Sequence, residues 1–93
     1  MGGEVKTENA VQEKSFAFAV RIVNLYKHLA KEHREAVLFR QILKSGTSIG
    51  ANVEEALGRV SRADFASKIA IAYKETRETI DWLRLFKATG YLS

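Results

Sequence analysis

The chain has 93 residues, enough for one domain, and 15 Lys and Arg against 11 Asp and Glu leave a net charge of +4. Zero cysteines exclude disulfides and thiolate metal sites and fit a reducing cytoplasm, and zero prolines favour long unbroken helices. No apolar run approaches the ~20 residues that cross a bilayer, so no membrane partner is expected, while the positive balance permits a nucleic-acid partner without requiring one.

Residues 1–14 carry no clear apolar stripe. They read as a polar N-terminal arm, or as the polar lead-in to a first helix, with the bundle domain at 15–93. No apolar core of a secretory signal is present in this stretch, so a cytoplasmic location is expected. Met1-Gly2-Gly3 opens like a myristoylation signal, but Lys6 stands where Ser or Thr is required. From Ser15 a helical period begins: Phe16, Ala19, Val20, Ile22, Val23, Tyr26, Leu29 and Ala30 recur at spacings of three and four. The polar run Lys31 to Glu35 should end it.

A second helix is predicted from Ala36. It carries two adjacent stripes, one through Leu38, Ile42, Ser45, Ile49, Asn52 and Ala56, the other through Phe39, Leu43, Gly46, Gly50, Val53 and Leu57. So broad an arc places this helix centrally in its bundle or against a second subunit. Gly58 is the expected C-terminal cap. Ser61-Arg62-Ala63-Asp64 then forms a capping box for a third helix running to about Ala88. Its expected stripe is Phe65, Ile69, Ala72, Thr76, Ile80, Leu83 and Phe86, with Gly90 past the end and Tyr91 or Leu92 folding back. The fold class is all-α, an antiparallel up-and-down helical bundle.

The densest segment chemically is Lys44 to Ala56. Gly46-Thr47-Ser48-Ile49-Gly50 matches the G-x-S-x-G pattern of serine hydrolases, but a nucleophile elbow needs a strand before the serine and a histidine after it. Here a helical period precedes Ser48, and both histidines, His28 and His33, come earlier. A P-loop fails too, because three residues separate the glycines and Ala51 stands where Lys is required. A carboxylate-bridged metal site would want Glu-x-x-His, which does not occur; Glu75 with Glu78 and His28 with Glu32 are ordinary surface spacings. No catalytic residue, metal ligand or cofactor is therefore assigned, and the protein is not expected to be an enzyme. The segment reads instead as a thin place on a helix, where Gly46 and Gly50, with Ala51 and Asn52 beside them, admit a close neighbour. Each interior glycine costs about 1 kcal/mol relative to alanine, which close packing would offset.

Arg40 and Lys44 lie a turn apart, Arg59 and Arg62 flank the turn into the third helix, and Lys68 follows. These five form the candidate phosphate-binding set, which a symmetric oligomer would multiply. The alternative is a solvated, partly ion-paired face with Glu54, Glu55 and Asp64.

Gln41, the Lys44–Ala56 segment, Ser61-x-x-Asp64-Phe65, Lys68-Ile-Ala-Ile-Ala72, Lys74-Glu75, Glu78-Thr79, Trp82-Leu83 and Gly90-Tyr-Leu92 together resemble a known family. It comprises the four-helix-bundle proteins encoded by intervening sequences of bacterial 23S ribosomal RNA genes, and includes the accessory variability determinant of diversity-generating retroelements. The resemblance spans residues 16–93. It implies a small cytoplasmic non-enzymatic bundle, a homopentamer, basic surfaces suited to RNA or DNA and, in the retroelement branch, a reverse transcriptase as partner. It also implies a fourth helix after Gly-Tyr-Leu-Ser, for which Ser93 would be a good N-cap. The three helices within these 93 residues should then leave an apolar face for that helix or for a partner subunit.

Overall fold

A computed structural model describes residues 2–34 and 36–93. Among them the chain forms three helices and no strand: α1 (Gly2–Glu32), α2 (Ala36–Leu57) and α3 (Arg62–Ala88). Contacts between α1 and α2 run in opposite order along the chain, Gln12 with Glu54 and Ile22 with Gly46, so these helices are antiparallel. The same holds for α2 and α3, through Ser45 with Thr79 and Glu55 with Lys68. Both outer helices pack on α2, and among the described residues their backbones do not approach each other. The result is an up-down-up layer with α2 at its centre, 47 × 21 × 18 Å. A 31-residue helix rises about 46 Å, so α1 alone sets the long dimension.

α1 starts well before Ser15. Residues 2–14 are its first turns, so the lead-in describes this segment and the free arm does not; Met1 lies outside the described residues. The physical reason is a proline-free run tied to α2, which outweighs the weak helix propensity of its glycines, valines, Thr7 and Asn9. Gln12 Nε2 donates to Glu54 Oε1 at 2.8 Å, and Glu8 pairs with Arg59 at 3.4 Å.

The two later helix ends behave differently. Gly58 follows the last residue of α2 and donates to the Glu54 carbonyl at 3.1 Å. Its backbone is not left-handed, so it closes the helix without the αL turn that glycine usually supplies there. At α3, Ser61 is extended (φ −152°, ψ 169°) and its Oγ accepts from the Asp64 amide at 3.1 Å, the expected N-cap. Gly90 alone among the described residues has positive φ, at 89°. That reversal lets the amides of Tyr91 and Leu92 both donate to the Phe86 carbonyl, at 2.9 and 3.2 Å.

Each outer helix buries a narrow seam. On α3 it is Ala72, Thr79 and Phe86, and on α1 Ile22 and Leu29, in both cases seven residues apart. A helix packed on one side only needs one such line. The broader sequence stripes therefore overshoot. Phe16 and Ile80, expected inside, are 69% and 52% exposed, and Val20 is exposed as well. Thr79, absent from the expected stripe, is buried. The core gathers Ile22, Leu29, Phe39, Ile42 and Phe86, with Trp82, Leu83 and Tyr91 packed around them. Phe39 meets Phe86 and Tyr91 edge to face, at centroid distances of 5.5 and 5.1 Å, a preferred ring geometry.

Candidate functional site

Gly46 and Gly50 face α1 of the same chain. A Cβ on Gly46 would stand 2.7 Å from Ile22 Cγ2 and 2.8 Å from Cγ1, and one on Gly50 would stand 3.3 Å from the Ser15 carbonyl oxygen. The glycines thus bring two backbones together within one subunit. Ala51 is exposed beside Phe16 in a shallow notch of about 230 Å³. Asn52 Nδ2 donates to the Ser48 carbonyl at 2.8 Å and to Ser48 Oγ at 3.2 Å. Ser48 therefore sits inside a helix, capped by a neighbouring amide, with no elbow around it.

On the other side of α2, small polar residues meet α3. Thr79 Oγ1 donates to Ser45 Oγ at 2.9 Å or, by rotating, to the Glu75 carbonyl at 2.8 Å. Ser45 Oγ donates to the Ile42 carbonyl at a long 3.4 Å. Both residues are buried, and among the described residues no buried side-chain N or O lacks a partner.

The five candidate cations do not form one patch. Arg40 and Lys44 lie on the solvent side of α2, with no ion pair among the described residues. Fifteen residues of chain separate Lys44 from Arg59, about 22 Å along a helix at 1.5 Å per residue. At that far end Arg59 is held by Glu8 and lies over the Phe65 ring at 4.9 Å. Lys68 Nζ is 2.7 Å from Glu55 Oε2, and hydrogen bonding to that carboxylate, then its charge, raises the Lys68 pKa above the usual 10.5. Arg62 is exposed with no ion pair among the described residues. Arg40, Lys44 and Arg62 are thus the available charges, and Arg59 and Lys68 are engaged at home.

A feature larger than any of these lies between the outer helices. Because the backbones of α1 and α3 stay apart among the described residues, the two helices flank a trough whose floor is α2. The trough has a volume of about 530 Å³ and is lined by Val11, Lys14 and Phe18 from α1, Ile49 and Val53 from α2, and Ile69, Tyr73 and Thr76 from α3. Of its α3 wall, Ile69 and Thr76 belong to the expected stripe of that helix, and Tyr73 does not. Tyr73 is 64% exposed. The trough is apolar, with Lys14 its one charged lining residue. Among the described residues no three His, Asp or Glu side chains converge on a metal-sized site, and no helix is long and apolar enough to cross a membrane.

Comparison with known proteins agrees with this architecture. A family model described as 23S rRNA-intervening sequence protein matches residues 7–93. A 1.70 Å crystal structure of a protein with unknown function, from the S23 ribosomal protein family of Bacteroides thetaiotaomicron VPI-5482, is similar at 56% identity with a TM-score of 0.90. The alignment covers 92% of this chain and 77% of that one. No curated protein matches. With nearly the whole sequence matched and its helices in the same arrangement, the chain belongs to the 23S rRNA-intervening sequence protein family.

Proposed function

We propose that this chain is a non-enzymatic structural subunit: a three-helix layer that takes a fourth helix in its trough, assembles with copies of itself, and associates with nucleic acid. The observation that carries the reading is the trough. An apolar channel of about 530 Å³, with Ile69 and Tyr73 exposed on one wall, is surface that a helix of complementary face would cover. Val37, Ile71 and Leu85 are also exposed on α2 and α3, which supports assembly through those helices. Five subunits is the number that the family resemblance implies. Sedimentation equilibrium should give a homo-oligomer, and Ile71→Glu with Leu85→Glu should yield a helical monomer. A monomeric unaltered chain overturns the assembly.

Arg40 and Lys44, exposed and unpaired among the described residues, support phosphate contact, with Arg62 as a separate point and Arg59 and Lys68 joining only if their carboxylates are displaced. RNA or DNA binding should then fall steeply between about 50 and 200 mM salt, because each neutralised phosphate releases counterions. Flat salt dependence overturns this part. A second reading, which the family resemblance implies, is docking to a larger enzyme such as a reverse transcriptase, for which exposed Phe16 beside Ala51 offers an apolar contact. A protein partner retained by Arg40→Glu with Lys44→Glu would select it.

A further inference from the structure

We propose that the helix received by the trough is acidic on both flanks. This rests on the reading of the trough as a helix-docking channel and adds the chemistry of the occupant. The floor is apolar, so specificity must come from the rims. On the α1 side Lys14 lines the channel, and Arg21, seven residues on, falls two turns along the same face. On the α3 side Arg77 lies over the Tyr73 ring at 6.0 Å, and Arg84, again seven residues on, shares an outer depression with Ile80. All four cations are exposed, and none has an ion pair among the described residues.

The acids nearby do not cancel this arrangement. Glu78 and Asp81 border the same depression as Arg77 and Arg84. At 100° per residue, Arg77 and Arg84 stand between the Tyr73–Ile80 line and Asp81, so the arginines are nearer the channel. Glu32, on the α1 side, lies at the opposite end of the molecule from Lys14. Both rims are therefore basic around an apolar floor. Trough-to-trough pairing of two copies would set like charges against each other. An amphipathic helix with a Leu-type stripe and Glu or Asp on either side meets floor and rims together. An RNA strand would meet the rims but leave Val11, Phe18, Ile49, Val53 and Ile69 without an apolar partner.

The test uses two synthetic amphipathic helical peptides with one Leu stripe, flanked by Glu in the first and by Lys in the second. Titrated into the full chain by fluorescence anisotropy, the Glu peptide should bind about tenfold or more tighter at ~50 mM salt, and the ratio should shrink as salt rises. The exposed pair Lys14→Glu with Arg77→Glu should reverse the preference while circular dichroism stays unchanged. Equal binding of the two peptides, or preference for the Lys peptide, overturns the acidic flanks and leaves the docking channel standing. Binding of neither peptide overturns both. If Tyr73→Glu dissociates an oligomer that neither peptide can enter, the occupant is a second copy and the proposal is wrong. It is equally wrong if single-stranded RNA displaces the peptide and loses affinity on Lys14→Glu with Arg77→Glu.

Discussion

The two ends of this layer are built differently. Where α1 ends, α2 begins and α3 ends, His33, Phe39, Phe86 and Tyr91 form a ring cluster with centroid distances of 4.9–6.0 Å. The Gly90 reversal closes that end by folding Tyr91 onto the cluster. At the other end α1 approaches α2 over glycine, the ties are Glu8 with Arg59, Gln12 with Glu54 and Glu55 with Lys68, and the trough stands open. Buried aromatic packing is strong and insensitive to salt, whereas exposed ion pairs contribute about 0–1 kcal/mol each and are screened. One end thus holds the fold, and the other leaves surface for a partner.

The comparison breaks most visibly if aromatic truncations cost the same at both ends. Phe86→Ala should lower stability by about 3–5 kcal/mol in urea or thermal unfolding, since its side chain is fully enclosed. Phe18→Ala, half-buried at the open end, should cost far less and act mainly on partner binding. Equal losses would mean that the open end is as tightly built as the closed one. Next in size is Gly46→Ala. Alanine improves helix propensity by about 1 kcal/mol, but its Cβ would meet the stiff, β-branched Ile22 at 2.7 Å. A net loss of about 1–3 kcal/mol is expected. The loss should be relieved in the background Ile22→Ala, measured as a double-mutant cycle.

Thr79→Val should cost about 1 kcal/mol by leaving Ser45 short of a partner, while Ser45→Ala with Thr79→Val should cost less than the two changes summed. Simple additivity of the pair in denaturant melts would show that the hydroxyls do not bind each other. The smallest effect is at Lys68. Its pKa is raised in the folded state by Glu55, so the pair's contribution is fully present below the ordinary lysine value of 10.5 and is lost as pH climbs past it. Lys68→Met should leave stability at neutral pH close to that of the unaltered chain and should flatten the pH dependence in the alkaline range.

Much of this frame was legible in the residues. Ser61 and Asp64 mark the start of α3 because an N-cap hydroxyl has a fixed geometric task, and Gly90 marks its end because only glycine takes φ near 90° without strain. The double stripe of α2 announces a helix with two neighbours. What stayed hidden was which line of each outer helix turns inward. Phe16, Val20 and Ile80 are apolar at helical spacing, yet periodicity cannot separate the seam facing α2 from a second stripe meant for something else. Thr79 reads as a surface residue until Ser45 stands opposite it. Glu55, near Lys68 in sequence, was legible as a possible partner, but linear order does not show that Glu8 reaches Arg59 from α1.

The separation of the α1 and α3 backbones among the described residues also governs how information can move through the subunit. Strain placed on one outer helix reaches the other through α2, through the His33–Tyr91 contact at the closed end, or through whatever occupies the trough. Substitutions split between the trough-lining faces of α1 and α3 should therefore be energetically independent in the isolated chain, within about 0.3–0.5 kcal/mol. A bound helix touching both walls would make the same pairs interdependent, so the appearance of coupling would itself report occupancy.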